Sequence, residues 1–281
     1  MLQISPHFRK SYQFVLRETS IKFNLNVVRQ AHHERNQQDT VRPEPVEGLH
    51  RNFLRVSGFT PLSTTDFPGQ LAAVVFVQGC AWRCRYCHNP EIQSRLEAPT
   101  KPWQEIIDFL DRRQGLLDAV VFCGGEPTVD RHLGSAIDQV RQRGFKVGLH
   151  TAGIYPDRLR ALLPKVDWVG FDVKAPFADY AATTGVRDSG TPAQASLTHL
   201  LASGVAYEVR TTRHPSLLSS RNLAAMAASL RQQGVETFAL QEFRPHGCTD
   251  ALLASQPPPL DNVGIDHLKK LFPTFILRCA N

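Results

Sequence analysis

Three cysteines lie close together in residues 78–89, which read Gln-Gly-Cys-Ala-Trp-Arg-Cys-Arg-Tyr-Cys-His-Asn. Cys80, Cys84 and Cys87 follow the spacing C-x3-C-x2-C, so one short loop supplies three thiolates. A structural zinc site takes four protein ligands, and so does an iron–sulfur cluster that is held by protein alone. On a cluster of four irons, three cysteines leave one iron free to hold a substrate or cofactor. The spacing therefore indicates a reactive metal centre more than a structural one.

A zinc site is the alternative for the same loop, with His88 as the fourth ligand. Cys87 and His88 are adjacent in the chain and cannot easily reach the same metal, so this interpretation is the weaker one. The matching hypothesis for function is a zinc- or iron-binding interaction module without turnover.

The chain around the cysteines alternates buried strands with helices. Residues 71–77 form a continuous apolar run, which is typical of a strand buried on both faces of a parallel sheet. Further strands are predicted at residues 119–123, 145–149, 166–173, 206–211 and 236–241, and helices at residues 102–114, 131–143, 157–163, 192–202 and 222–233; residues 262–272 and 275–277 close the chain. Six strand–helix alternations predict an α/β fold with a parallel sheet, which suits a partial barrel rather than a complete eight-unit one.

Polar motifs follow the ends of these strands, which is where parallel α/β folds gather their chemistry. In chain order they are the cysteine loop, Gly124-Gly125-Glu126-Pro127, His150 and Thr151, Asp172 and Lys174, Arg210, and His246. Two glycines let a backbone approach a ligand closely, and a carboxylate beside them can accept a cationic amine. For each charged position, a surface ion pair or a helix cap is the alternative role.

The cysteine loop, with Tyr86 just before its third cysteine, resembles the signature of the radical S-adenosylmethionine superfamily. The resemblance implies a partial (β/α)6 TIM-like barrel in which the three cysteines bind a [4Fe–4S] cluster. It implies that the fourth iron chelates the amino and carboxylate groups of S-adenosylmethionine, that Tyr86 packs near the adenine, and that the Gly-Gly-Glu-Pro stretch holds the methionyl amino group. Cleavage of this cofactor by one electron would release a 5′-deoxyadenosyl radical.

Several stretches resemble one branch of that superfamily, the activating enzymes of glycyl-radical enzymes. Residues 65–69, Thr-Asp-Phe-Pro-Gly, resemble the Asp-Gly-Pro-Gly segment of the branch. The Gln-Gly-Cys and Cys-His-Asn-Pro stretches around the cysteines look similar as well, which adds His88 and Asn89 to the expected cofactor-binding residues.

Later strand ends extend this resemblance. Asp172 and Lys174 match an Asp-x-Lys pair whose side chains approach the cofactor or a bound cation. His150 and Thr151 stand where pyruvate formate-lyase activators have Asp-Thr-Asn-Gly, and the change from acid to histidine puts such a cation site in doubt. Arg210 is expected near the ribose or carboxylate of the cofactor, and His246 is expected to line the same cavity.

The resemblance covers roughly residues 59–250 and is closest to the activating proteins of anaerobic ribonucleoside-triphosphate reductase. It implies that the radical abstracts a hydrogen from a glycine of that reductase, and that a flavodoxin or ferredoxin supplies the electron. The alternatives are another glycyl-radical enzyme, of the pyruvate formate-lyase type, and a small-molecule or nucleoside substrate.

Composition sets wider bounds on these hypotheses. The chain has 281 residues, 42% hydrophobic and 21% charged, which is ordinary globular composition. No apolar run approaches the roughly 20 residues that span a bilayer, and no secretory signal is recognised, so no membrane partner is expected. The net charge of +6 is spread along the chain, so no nucleic-acid partner is expected either. Six cysteines without framework spacing, among them the isolated Cys248 and Cys279, favour a reducing, cytoplasmic setting.

Residues 1–53 are polar and show no sustained period of 2 or 3.6. They are predicted to be an N-terminal extension that is disordered or wrongly assigned to the protein. Residues 54–281 are predicted to form the core domain.

Overall fold

The computed structural model describes residues 53–255 and 262–279. Apart from Phe53, the predicted N-terminal extension lies outside the described residues. Within the described part of the chain, no helix is both long enough and apolar enough to cross a membrane.

Within residues 53–255 and 262–279, a single sheet of eight strands organises the fold, and neighbouring strands in the sheet are also neighbours in the chain. The strands are β1 (Val56–Ser63), β2 (Ala72–Val77), β3 (Ala119–Gly124), β4 (Lys146–Thr151), β5 (Trp168–Asp172), β6 (Ala206–Arg213), β7 (Thr237–Glu242) and β8 (Thr274–Arg278). β1 pairs antiparallel with β2, and every later pairing is parallel. The six predicted strands are therefore confirmed as β2 to β7, and the α/β class is confirmed with them.

Helices connect the parallel strands. They are α1 (Trp103–Asp111), α2 (Leu133–Gln142), α3 (Pro156–Leu162), α4 (Tyr180–Thr184), α5 (Gly190–Ser203), α6 (Ser220–Gln232), α7 (Ala251–Ala254) and α8 (Asn262–Leu271). The predicted apolar face of α1 is buried through Ile106, Ile107 and Leu110. Neighbouring parallel strands need a crossover connection, and these helices provide it. The C-terminal ends of β2 to β8 therefore lie at one edge of the sheet.

The sheet has one more strand at each edge than the six alternations predict. β1 contains Gly58 and Pro61 and has a partner on one side only. Proline is tolerated at a sheet edge. In the sequence, however, glycine and proline inside this segment weaken the pattern by which a strand is recognised. β8 is five residues long and half-buried, and it contains the apolar residues 275–277, which close the chain in the sequence pattern and are not counted among the six alternations.

Alternate residues of each strand enter two different cores. On β3, Val120 and Phe122 belong to the large core that includes the helices, whereas Val121 and Cys123 belong to a small second cluster. We call the face that bears the second cluster the inner face. This period of two follows from strand geometry, and it places every second side chain of the strands on the inner face.

Phe67 fills one end of the inner face. It lies in the segment between β1 and β2, and its ring stacks on Trp168 of β5 with centroids 5.4 Å apart. A Cβ added to Gly148 of β4 would lie 3.0 Å from the Phe67 ring, so glycine makes room for it. Trp168 stands at the start of its strand, so Phe67 occupies the end of the inner face opposite the polar strand ends.

Candidate active site

The cysteine loop directly follows β2 and is fixed by backbone hydrogen bonds to distant segments. The Arg83 and Arg85 amides donate to the carbonyl oxygens of Thr184 (2.9 Å) and Thr183 (3.1 Å). The amides of Gly79 and Cys80 donate to the carbonyl oxygens of Ile92 (2.8 Å) and Gln93 (3.1 Å). Trp82 and Tyr86 are buried on either side of Cys84, which anchors the loop in the fold.

The three thiols are half-buried and electrostatically linked to one another. Burial, helped by the nearby Glu126 carboxylate, raises the pKa of the Cys80 thiol to about 12. Burial also raises the pKa of Cys84, while the Lys174 ammonium opposes that rise. Thiolates at these positions therefore need a strong positive charge beside them, and bound metal supplies one because it deprotonates a coordinating thiol.

Among the described residues, no three His, Cys, Asp or Glu side chains converge closely enough to hold one metal ion. A cluster of several irons does not require such convergence, because each thiolate binds its own iron. The His88 ring is engaged elsewhere, since its Nε2 donates to the Arg244 carbonyl oxygen over 2.8 Å. The donor set thus fits a [4Fe–4S] cluster better than a single zinc ion.

The Gly-Gly-Glu-Pro turn after β3 lies directly against the cysteine loop. A Cβ on Gly124, whose φ is +115°, would lie 2.5 Å from the Val77 nitrogen, and one on Gly125 would overlap the Gly79 carbonyl. The Gly125 and Glu126 amides donate to the carbonyl oxygens of Val77 (3.1 Å) and Gly79 (2.8 Å). Only glycine permits this approach, and the two motifs therefore form one backbone unit.

Glu126 is buried with four hydrogen bonds to its carboxylate. Oε1 accepts from the Thr128 amide (3.1 Å), the Thr128 hydroxyl (2.6 Å) and the Thr151 hydroxyl (2.7 Å), and Oε2 accepts from the Ala152 amide (2.9 Å). Burial raises the pKa of Glu126, and these hydrogen bonds oppose the rise. Glu126 makes no ion pair with a described Lys or Arg, so a cationic ligand group nearby would be favoured electrostatically.

The side chains of Pro127 and Thr151 help to hold this arrangement. Pro127 is buried and begins the 3-10 turn Pro127–Val129, for which Glu126 is the N-terminal cap. The Thr151 hydroxyl also accepts from the Gly153 amide over 3.0 Å. Thr151 thus connects the end of β4 to the Gly-Gly-Glu-Pro turn.

Asp172, Lys174 and Arg210 meet at the C-terminal ends of β5 and β6. Arg210 Nε lies 2.9 Å from Asp172 Oδ1, and Lys174 Nζ lies 3.7 Å from Asp172 Oδ2. Burial raises the pKa of Asp172, but the two cations outweigh it and hold that pKa below its ordinary value. Gly170 leaves room for the Arg210 guanidinium, since a Cβ there would lie 2.6 Å from Nη1.

Lys174 connects this charged group to the cysteine loop. Its ammonium lies 5.6 Å from the centroid of the Tyr86 ring, within the range of a cation–π contact. Burial acts to lower the pKa of Lys174, but Tyr86, Cys84 and Asp172 outweigh it and keep that pKa well above its ordinary value. Lys174 is therefore a fixed positive charge beside the thiols.

His150 lies on the inner face, where its Nε2 donates to the Asp66 carbonyl oxygen over 2.7 Å. Burial and the nearby Arg210 charge lower the pKa of His150 to about 3. The ring is therefore neutral at pH 7, and Nδ1 remains as its acceptor.

Three predicted residues make their contacts outside this group. The His88 ring stacks on Phe243 with centroids 5.5 Å apart. Burial and, to a lesser degree, the Lys174 ammonium lower the pKa of His88, so this ring borders the charged group. Asn89 is the residue before the 3-10 turn Pro90–Ile92, and its side chain makes no capping hydrogen bond there. His246 is exposed and contributes only a weak electrostatic effect at His88. The structure thus brings together the residues on the cysteine loop and strands β3 to β6 with His88 at their border, whereas the contacts given for Asn89 and His246 do not join them.

Some side chains that shape the site gave little signal in the sequence. The Tyr180 hydroxyl accepts from the Lys174 amide over 3.1 Å, and its ring packs edge-on against Trp82 with centroids 5.7 Å apart. Tyr180 begins the five-residue helix α4, which is too short to show a period. Thr128 could have been found, because a threonine two residues after a buried carboxylate is a recognisable capping pattern.

A family profile described as Radical SAM superfamily matches residues 74–238 of this chain. A Methanocaldococcus jannaschii protein, named as a candidate glycyl-radical enzyme activating enzyme, is 29% identical over 216 residues, or 74% of this chain and 87% of its own. A 7-carboxy-7-deazaguanine synthase from Methanopyrus kandleri is 31% identical over 48% of this chain and 60% of its own. A pyruvate formate-lyase-activating enzyme from Clostridium pasteurianum is 29% identical over 48% of this chain and 59% of its own.

Solved structures show the same fold at lower identity. SuiB from Streptococcus suis, in complex with S-adenosylmethionine, superposes with a TM-score of 0.54 at 12% identity. The match covers 73% of this chain and 48% of SuiB.

Proposed function

The chain belongs to the radical S-adenosylmethionine superfamily, and within that family we propose that it activates a glycyl-radical enzyme. Enzymes of this family use a [4Fe–4S] cluster and S-adenosylmethionine, and both are cofactors of this chain. Support for the activase comes from the relative of matching name, which aligns over 216 residues and most of its own length.

In the proposed site, Cys80, Cys84 and Cys87 hold the cluster, and the strand ends hold S-adenosylmethionine. When both are bound and one electron is supplied, they provide a 5′-deoxyadenosyl radical that takes a hydrogen atom from the target. The observation on which this assignment rests is the backbone pairing of the cysteine loop with the Gly-Gly-Glu-Pro turn. That pairing joins the loop of the three thiols to the turn that carries the buried Glu126 carboxylate, which supports a site for a cationic amine beside the cluster.

The remaining residues have binding and shielding roles in this proposal. Lys174 and Arg210 offer cations to the cofactor carboxylate or ribose, and Asp172 keeps both side chains in place over 3.7 and 2.9 Å. Tyr86 provides a buried aromatic surface for the adenine. No proton transfer is needed for hydrogen-atom abstraction, so the neutral His150 has a packing and polar lining role here.

For the partner, we propose an anaerobic ribonucleoside-triphosphate reductase, with a flavodoxin or ferredoxin as the electron donor. This finer assignment rests on the motifs of the sequence, above all Cys-His-Asn-Pro and the retained Gly-Gly-Glu-Pro. We also propose that the protein works in the cytoplasm, because a thiolate-bound cluster requires a reducing environment.

Anaerobic reconstitution tests the cofactor assignment. The protein should bind about four irons per chain, absorb near 400 nm and form 5′-deoxyadenosine only when a reductant is present. Cys84→Ala should abolish this turnover. Cys279→Ala is the matched control, since Cys279 is exposed and outside the site. Turnover in Cys84→Ala equal to that of the control would refute the assignment of the cluster ligands.

The partner is tested separately. Incubation with a reductase bearing a C-terminal glycyl-radical motif should produce the doublet of a glycyl radical in electron paramagnetic resonance. A variant reductase with that glycine changed to alanine is the control. Cofactor cleavage without a radical on any glycyl-radical enzyme tested would keep the superfamily assignment and reject the activase.

One relative favours a second candidate, a reaction on a small purine-like molecule. The 7-carboxy-7-deazaguanine synthase has slightly higher identity than the activase relative, although over fewer residues. Under this alternative, a deazapurine precursor would increase 5′-deoxyadenosine formation in the absence of any protein partner. No increase with such precursors would leave the activase as the supported function.

A further inference from the structure

A short segment after β7 lies across the outside of the cysteine loop. We call residues 243–253 the strap segment. It contacts the cysteine loop through residues that have no part in the hydrogen bonds and ion pairs of the strand ends described above. Its role is therefore a separate question from the proposed binding of cluster and cofactor.

His88 is the first point of contact between the strap segment and the cysteine loop. Its ring stacks on Phe243 and its Nε2 donates to the Arg244 carbonyl oxygen over 2.8 Å. At Gly247 the approach is closer still, because a Cβ there would overlap the His88 carbonyl oxygen. A side chain and a carbonyl group that are 156 positions apart in sequence are thus in contact, and the backbones meet at Gly247.

Arg85 and Asp250 form the second point of contact. Arg85 Nη2 and Nε lie 2.8 and 2.9 Å from Asp250 Oδ2. Asp250 Oδ1 accepts from the amides of Leu252 (3.1 Å) and Leu253 (3.3 Å), which begin helix α7. One carboxylate thus caps α7 and also holds the loop residue between Cys84 and Cys87. The Arg85 guanidinium holds the pKa of Asp250 below its ordinary value.

An apolar contact and a thiol complete the strap. Tyr86 of the cysteine loop clusters with Phe243 and Leu253 of the strap segment. The Cys248 thiol, isolated in the sequence, donates to the Arg85 carbonyl oxygen over 3.5 Å. Contacts at the Arg85 carbonyl group and at the next residue, Tyr86, therefore hold this part of the loop beside Asp250.

A cleft open to solvent lies where the two segments meet. Its volume is about 310 Å³, and its walls are Arg83, Cys84, Arg85, Cys87, Pro90, Gln93, Thr249 and Asp250. Cys84 and Cys87 are among the residues that line this cleft, and Cys80 is not. Thr249 and Asp250 are the only wall residues from the strap segment, so its position sets how wide the cleft opens.

We propose that Asp250 is a positioning residue for the cysteine loop. By holding Arg85, it keeps the strap segment closed over Cys84 and Cys87 and limits the access of solvent and oxidants to that side of the cluster. The shielding of the cluster rests on the proposed function, because it requires Cys84 and Cys87 to be cluster ligands. The closure itself is a property of the chain without cofactor.

Alkylation of the cluster-free protein tests the closure directly. The rates at Cys84 and Cys87 are measured by mass spectrometry with iodoacetamide and with a bulky polyethylene-glycol maleimide. Both reagents attack the thiolate, so the ratio of their rates removes changes in thiol pKa and reports steric access. Cys80, which lies outside the cleft, is the internal reference.

Two substitutions remove the ion pair with little other change. Arg85→Gln leaves the Asp250 cap of α7 intact, and Asp250→Asn keeps a good capping residue. Each should raise the bulky-to-small rate ratio at Cys84 and Cys87 about two- to fivefold, as expected for an exposed ion pair. The double variant should be no more open than either single variant, because both remove the same contact.

The matched control is Asp266→Asn, which removes the exposed ion pair to Lys269 and should leave the ratio unchanged. An unchanged ratio in both single variants, with circular dichroism like that of the native protein, would overturn the proposal. The proposal would also be overturned if the changes in rate ratio of the two single variants simply added in the double variant. In reconstituted protein, the single variants should lose absorption near 400 nm in air about two- to fivefold faster. Equal rates of loss would also contradict the shielding role.

Discussion

The inner face of the sheet has two halves with opposite chemistry. Strands β2 and β3 present small apolar side chains there: Ala72, Val74, Ala119, Val121 and Cys123. Strands β5, β6 and β8 present charges: Asp172, Glu208, Arg210 and Arg278. In the first half the Phe67 ring fills the remaining space by apolar packing. In the second half the charged side chains form two ion pairs, Asp172–Arg210 and Glu208–Arg278.

The difference separates what stabilises the fold from what serves the site. Burial of apolar area stabilises the first half directly. In the second half each ion pair must recover the cost of removing two charges from water, and such pairs often add little net stability. We therefore expect the charged half to be retained for ligand binding, and the following experiments separate the two halves.

Removal of the Phe67 ring should have the largest effect on stability. Phe67→Ala leaves a cavity against Trp168 and should lower the free energy of unfolding by about 3 kcal/mol. Denaturant titration measures this change. Phe53→Ala is the control, because the Phe53 side chain is 54% exposed and its loss should cost far less. Equal losses in the two variants would contradict the role given to Phe67.

Breaking the Glu208–Arg278 pair should have the second-largest effect on stability. The pair is bidentate, at 2.6 and 2.9 Å, and Glu208 is buried. Glu208→Ala leaves an uncompensated guanidinium that is one-third exposed, so we expect a loss of about 2 kcal/mol in the free energy of unfolding. Glu208→Met combined with Arg278→Met should cost less than the single change, by the same denaturant titration. A double variant less stable than Glu208→Ala would show that the charges themselves stabilise this half.

Lowering the pH should destabilise the protein through His150, a polar residue of the inner face. Its folded pKa of about 3 lies below the ordinary value of 6.5, so the unfolded chain binds the extra proton first as the pH falls. Stability should therefore decrease from about pH 6.5 downward, by about 1.5 kcal/mol between about pH 7 and pH 5.5. His150→Gln should remove this part of the pH dependence of unfolding. The idea fails if the variant and the native protein lose stability in parallel over that range.

Lys174→Met should have the smallest effect on the fold and a clear effect on binding. The buried ammonium lies 3.7 Å from Asp172, so its removal loses that attraction but also ends the cost of keeping the charge out of water, while Asp172 keeps Arg210 at 2.9 Å. The net change in the free energy of unfolding should be less than about 1 kcal/mol. Affinity for S-adenosylmethionine in the reconstituted protein should fall about tenfold, because a charge-assisted contact is lost. Equilibrium binding measures it, with Lys165→Met as the control at an exposed ion pair. Unchanged affinity would remove Lys174 from the site.

Much of the scaffold could be predicted because its signals are local. Continuous apolar runs identified β2 and β3, and spacing alone identified Cys80, Cys84 and Cys87. The position of Gly124 after a buried strand also placed its motif beside the cysteine loop, since neighbouring parallel strands end at one edge.

The rest depends on contacts between distant residues. Nothing near His88 in the sequence indicates that its partners are Phe243 and Arg244. Cys248 looks isolated along the chain and yet touches Arg85. Phe67 lies in residues 65–69, which resemble a family segment, and nothing in that resemblance indicates that its ring stacks on Trp168. Such pairings are set by tertiary packing, which a local pattern does not encode.

The hydrogen bonds from Arg83 and Arg85 to residues 183–184 have a consequence for synthesis on the ribosome. The cysteine loop emerges about a hundred residues before the carbonyl groups that fix it. Because domains fold as the chain elongates, β2 and β3 can pair while the loop between them still lacks its hydrogen bonds to residues 183–184. Iron delivered during translation would meet mobile thiols, and iron delivered after release would meet a prearranged site. The order in which these segments emerge therefore makes metal insertion during translation different from insertion after release.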